Sequence, residues 1–213
     1  MSNNPLFIYK NITISGLPGA GSTTLLHKLR EALDKNWQAF SGGEFMRAWA
    51  AEHNYFDNND KFHHSSIVYG EEFDKEVDMG MRHKLETEKN WILESWLSGF
   101  VAQQVPGVLK VLLDCSNDSV RIDRIVNRDT ATVEEAKKHI SARYQENLTK
   151  WSRLYTKEWQ KWVVEPGTLS ANEPIDFWRP ELYDVVIDTY STNQDETLKQ
   201  VLDALKKKTP SSH

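Results

Sequence analysis

The run Gly16-Leu17-Pro18-Gly19-Ala20-Gly21-Ser22-Thr23-Thr24 sets three glycines and then three hydroxyls ahead of a leucine-rich stretch. Glycines let consecutive backbone N–H groups curl around an anion, and the N-terminus of a following helix adds the positive end of its dipole. Together they make a cradle for phosphate. The run fits the pattern G-x-x-x-x-G-K-[ST] except that Ser22 occupies the lysine position. Thr23 stands where a hydroxyl binds the Mg²⁺ that accompanies a nucleotide. The lysine ordinarily brings a point charge to the phosphates, so here Mg²⁺ and arginines from elsewhere must meet that charge. A glycine turn without a ligand is the plain alternative, but paired threonines at a helix start are unusual in such turns.

A cradle of this kind needs a strand before it and a helix after it. Asn11 to Ser15 is a short β-rich run. Leu25, Leu26, Leu29 and Leu33 follow at helical spacing. Further strands are expected at Trp37 to Ser41, Trp91 to Glu94, Val108 to Asp114 and Asp184 to Asp188. Helices are expected over Phe45 to His53, Phe73 to Lys89, Asn117 to Arg128, Val133 to Leu154 and Asp195 to Lys208, with Asn54 to Asp60 a loop. Thr132 and Glu135 have capping-box spacing. Strands alternating with helices predict an α/β protein with a five-stranded parallel sheet covered on both faces: a three-layer P-loop NTPase fold. Ligands in such folds sit at the carboxyl ends of the strands.

The 213 residues suit one domain, and a net charge of −5 argues against nucleic-acid or anionic-membrane binding. The single cysteine, Cys115, excludes an intrachain disulfide and reads as a core residue in a reducing, cytoplasmic protein. Met1 to Lys10 lacks the pattern of a signal peptide, and no apolar stretch approaches a membrane span. His63 and His64 have no metal-ligand spacing and read as loop residues.

From Ile12 to Thr24 the sequence resembles the opening of the cytidylate kinases, above all their archaeal-type branch, some of whose members also carry a hydroxyl residue at the lysine position. The resemblance continues in order along most of the chain. Ser41-Gly-Gly-Glu-Phe-Met-Arg47 is similar to the S-x-G-x-x-x-R acceptor segment, and Asp74 to Asp78 to the acidic stretch of the acceptor-binding insert. Trp91 to Gly99 is similar to V-V-L-E-G-R-L-A-G, with Trp96 in place of the arginine and Ser95 in place of the preceding glycine. Tyr183 to Thr189 resembles the closing strand, with Asp188 where the family usually has asparagine.

The resemblance implies one kinase domain over 1–213, with an acceptor insert at about 41–89 and a lid at about 121–150; the stretch at about 156–182 fits the alternation poorly, is longer than the family's pattern and reads as an irregular insertion packed on the body. It implies transfer of phosphate from ATP to a nucleoside monophosphate, CMP or dCMP favoured, with Mg²⁺ held by Thr23 and Glu94. Gly16, Gly19, Ala20, Gly21, Ser22, Thr23 and Thr24 would hold the ATP phosphates. Ser41, Arg47, Asp78 and Trp96 would bind the acceptor, and Arg47, Arg124, Arg128 and Arg143 would serve catalysis. Partners are then ATP and a nucleoside monophosphate, with no nucleic acid or membrane, in a monomer or weak dimer.

Several readings stay open at this level. Arg121, Arg124 and Arg128 share one helix face, which suits either a phosphate clamp or a solvated ion-pair face. Asp114 is either an acid that ends its strand beside the nucleotide or, more simply, part of a helix cap. Loss of the P-loop lysine also fits a nucleotide-binding protein with weak or no turnover, and Trp96 fits a P-loop kinase for a different small acceptor.

Overall fold

The computed structural model describes residues 7–52, 70–129 and 132–206. Five strands, β1 (Asn11–Gly16), β2 (Gln38–Ser41), β3 (Trp91–Glu94), β4 (Val108–Asp114) and β5 (Val185–Asp188), form one parallel sheet in the order β2-β3-β1-β4-β5. Helices α1 (Ser22–Ala32), α2 (Gly42–Glu52), α3 (Glu71–Thr87), the short α4 (Ser98–Val101), α5 (Asp118–Asp129), α6 (Val133–Leu154), the short α7 (Thr156–Trp159) and α8 (Gln194–Lys206) flank it.

Alternation along the strands decides which helices cover which face. Ile12 and Ile14 of β1, with Leu109, Val111 and Leu113 of β4, pack against Leu25, Leu26 and Leu29 of α1 and Val201 and Leu205 of α8. Val108 and Leu112 of β4, with Leu93 of β3, face the other way, toward Met81, Leu85, Phe100, Trp151 and Tyr155. Asn11, a polar residue on that face of β1, is tied down. Asn11 Nδ2 donates to the carbonyls of Leu85 (3.2 Å) and Glu88 (3.1 Å), and its Oδ1 accepts from Trp91 N (3.0 Å). These bonds close the end of α3 against the start of β3.

One capped boundary differs from the sequence expectation and another matches it. Helix α2 begins at Gly42, ahead of Phe45, because Ser41 Oγ accepts the Glu44 N–H at 3.3 Å and so caps it. Helix α6 starts where the Thr132 and Glu135 capping box predicts, with both reciprocal bonds made. The expected loop at 54–60 and His63 and His64 lie outside the described residues.

The stretch 156–182 runs through α7, a π-helical turn (Gln160–Val164) and a 3₁₀ turn (Pro180–Leu182). Its Trp159, Trp162, Phe177 and Trp178 belong to the same buried cluster as Leu93 and Phe100. Phe177 is fully buried, with its ring 4.8 Å from that of Phe100 and 5.5 Å from that of Trp159. These aromatics build one face of the sheet. Among the described residues no helix is long and apolar enough to cross a membrane.

Candidate functional site

At the carboxyl end of β1 the backbone turns through Gly19 (φ +82°) and Gly21 (φ +94°), in the left-handed region that glycine enters without steric cost. A Cβ on Gly19 would come within 2.8 Å of the Arg121 carbonyl. The loop is braced from α5. Arg121 Nε donates to Pro18 O at 3.3 Å. Arg124 Nη1 donates to Gly19 O at 3.0 Å and to Thr189 Oγ1 at 2.8 Å, while its Nη2 donates to Thr189 O at 2.8 Å. Loop carbonyls are thus drawn onto two guanidinium groups. The first-turn N–H groups of α1, which have no partner within the helix, lie at the cradle.

Glu94, at the end of β3, lies directly under this loop and is only 6% exposed. Ser22 Oγ donates to its Oε1 at 2.7 Å and Ser41 Oγ to its Oε2 at 2.6 Å. Strand register makes this possible: Glu94 pairs across from Ile14 on one side and Ser41 on the other. Ser22, at the lysine position, therefore points at a carboxylate.

Away from the cradle the same cavity, of about 960 Å³, ends in an aromatic and acidic wall formed by Asp74, Asp78, Met81, Trp96 and Trp151. Trp96 meets Trp151 and Trp178 edge-on, with centroids 5.6 and 5.9 Å away. The Arg143 guanidinium lies over its ring at 5.1 Å. Asp74 Oδ2 accepts from Lys150 Nζ (2.7 Å) and Trp151 Nε1 (3.2 Å). Asp78 Oδ2 accepts from the Tyr155 hydroxyl. Burial pushes the Asp78 carboxyl up to about 7; Tyr155 pulls it down, Asp74 raises it further and Lys150 lowers it. Burial and Asp78 together push the Tyr155 phenol well above its usual range.

Gly16, Gly19, Ala20, Gly21, Ser22, Thr23, Thr24, Ser41, Asp78, Glu94, Trp96, Arg124, Arg128 and Arg143 all line this one cavity. Arg47 falls on α2, and its side chain lies outside what the structure describes. Asp114 is not at the cavity. It is exposed, and its Oδ1 accepts from the next residue's N–H (2.8 Å), while Asn117 caps α5 through Val120 N (3.2 Å). Asp188 accepts from Ser116 N–H and hydroxyl; that backbone donor above all holds its carboxyl below the usual range. Cys115 is buried.

Sequence reasoning passed over Asn147, Trp151, the turn from Thr189 to Asn193 and the start of α8 as cavity residues, and placed Asp74 only within an acidic stretch. Asp74 and Asp78 stand four apart on a helix whose Met81 and Leu85 are buried, a spacing that puts both carboxyls of that stretch on one helix face. The turn after β5 carries no such mark, because it reaches the cavity only through sheet order.

A family model described as AAA domain matches residues 12–149. The curated cytidylate kinase of Methanopyrus kandleri is 32% identical over 206 residues, covering 91% of this chain and 93% of that protein. The cytidylate kinase of Methanosarcina acetivorans is 30% identical over 203 residues, covering 91% and 97%. Among solved structures, an uncharacterized protein from Eubacterium ventriosum superposes with a TM-score of 0.58 at 14% identity, covering 93% of this chain and 99% of that one, which is a likeness of fold.

Proposed function

This chain belongs to the cytidylate kinase family of P-loop nucleoside monophosphate kinases, and from that premise we propose that it transfers the γ-phosphoryl group of ATP to CMP or dCMP. The observation that carries the reading is the single cavity with a phosphate cradle at one end and the Trp96, Asp74 and Asp78 wall at the other. Its volume suits two nucleotides meeting phosphate to phosphate. An aromatic face with carboxyl groups beside it suits a heterocycle that bears an amine donor, as cytosine does.

In the reaction a phosphate oxygen of the acceptor forms a bond to the γ-phosphorus, and the bond from that phosphorus to the β–γ bridging oxygen breaks. ADP leaves with the electron pair. The acceptor phosphate is already ionised near neutrality, so no side chain need remove a proton. What the protein supplies is alignment, exclusion of water and compensation of charge. The amides around Gly19 to Thr24 hold the donor phosphates. Arg128 and Arg143 line the cavity as cations for the transferring group, and the resemblance of Ser41 to Arg47 to the acceptor segment assigns Arg47 to the acceptor phosphate.

The residues fit Mg²⁺. Glu94 is a buried carboxylate at the cradle with no cationic partner among the described residues, and Thr23 brings a hydroxyl to the same place. Among the described residues no group of three or more His, Cys, Asp or Glu could hold a metal, so the nucleotide phosphates and water would complete the coordination. When bound, Mg²⁺ neutralises the donor phosphates and the charge that develops on them.

The test is ADP release from Mg·ATP with CMP, dCMP, UMP, AMP, GMP and dTMP offered in turn, with Arg47→Ala beside the wild type. A rate with the cytidine acceptors that falls in the variant supports the assignment. A faster rate with another monophosphate moves the acceptor, and no rate above ATP alone removes the kinase reading.

A further inference from the structure

The floor of the cradle carries negative charge. Both oxygens of Glu94 are taken by hydroxyl donors, Ser22 at 2.7 Å and Ser41 at 2.6 Å. Hydroxyls fix a carboxylate in place and leave its charge uncancelled, where a lysine at residue 22 would neutralise it. None of the described cations that line the cavity, Lys28, Arg124, Arg128 and Arg143, pairs with Glu94. Lys28 pairs with Asp195 at 2.8 Å, Arg124 is spent on Gly19 and Thr189, and Arg143 lies against Trp96. The loop itself offers amide dipoles alone. A triphosphate entering without a metal meets Glu94 as a like charge, and a carboxylate only 6% exposed is poorly screened by water.

We propose that Ser22 and Ser41 are positioning residues that lock Glu94 as a fixed counter-charge for a divalent cation, so that this cradle holds a nucleoside triphosphate only as its metal complex. The proposal rests on the kinase reading of the same site. It gives the serine at the lysine position a role: the cation that a lysine would supply permanently enters here with the substrate. Ser41 also caps α2, the helix that carries Arg47, so the lock joins the donor cradle to the acceptor segment through one carboxylate.

The experiment is equilibrium binding of ATP to the full chain by titration calorimetry, in Mg²⁺ and in EDTA, with circular dichroism and thermal unfolding to confirm that each variant is folded. For the wild type, removing the metal is expected to weaken binding by about 100-fold or more. Ser22→Lys is expected to shrink that gap to about tenfold or less, through better metal-free binding. Glu94→Gln, close to isosteric, is expected to improve metal-free binding and weaken Mg·ATP binding, closing the gap from both sides. Ser22→Ala and Ser41→Ala are expected to weaken Mg·ATP binding several-fold while Ser22→Thr restores it. Wild-type binding in EDTA within about threefold of that in Mg²⁺, or a gap unmoved by Glu94→Gln, overturns the proposal and leaves the kinase reading standing. Absence of ATP binding under both conditions overturns both.

Discussion

Burial pushes the Asp78 carboxyl up to about 7, so between about pH 4 and 7 the folded chain holds a proton that the unfolded chain, with an ordinary aspartate, has lost. Stability must then fall as pH rises through that window and level off above it. At about 1.4 kcal/mol per pH unit, the change is of order a few kcal/mol. The groups facing Asp78 are Asp74 on its own helix, Lys150 on α6 and Tyr155 at the end of α6. Asp78→Asn cannot titrate, so urea unfolding at pH 5 and pH 8 is expected to lose most of this dependence. An unchanged slope would assign the proton elsewhere. Arg124 is the other residue whose surroundings sharpen its role. Its fork holds Gly19 and Thr189 together, which makes it a brace for the cradle as much as a cation facing the ligand. Arg124→Lys keeps the charge and loses the fork, and is expected to raise the KM for ATP by about tenfold with a smaller fall in kcat. A lower kcat at constant KM would place Arg124 on the transferring phosphate instead.

The phosphate loop is a local element, and its glycines are not equivalent. Gly19 and Gly21 both have positive φ, but only Gly19 lies against another part of the chain, the backbone of Arg121. Gly21 has open space where a Cβ would project. Gly21→Ala is expected to cost about 1 kcal/mol of backbone strain. Gly19→Ala adds a clash with a backbone carbonyl and is expected to destabilise by about 2–3 kcal/mol and to abolish measurable nucleotide binding. Thermal unfolding and ATP titration of the two variants side by side separate the contributions; equal effects would mean that the loop yields freely at Gly19. Helix α2 shows the same coupling of local to distant. Ser41 ends β2, caps α2 and clamps Glu94, so one hydroxyl sets where α2 leaves the sheet.

Across the whole molecule the aromatic residues of 156–182 complete the face of the sheet that α3, α4 and α6 begin. Phe177 sits among Phe100, Tyr155, Trp159 and Trp178 with no exposure. Phe177→Ala is expected to lower unfolding free energy by about 3–5 kcal/mol, read from the urea midpoint. A loss below about 1 kcal/mol would show that this stretch is an appendage to the core. The sequence by itself determined the strand, glycine loop and helix of the cradle, the five strands and the capped start of α6, because each depends on neighbours within a few residues. It also determined the family, since motifs in order survive changes elsewhere. Tertiary structure alone decided that Ser22 faces Glu94, 72 residues away, that Arg124 braces the cradle against the turn after β5, and that Asp114 turns away from the cavity. Strand order and register place those groups, and no local pattern records which strand end lies beside which. It also decided that the tryptophan-rich stretch is core, because burial there comes from packing against α4 and α6 and has no helical or strand period to announce it.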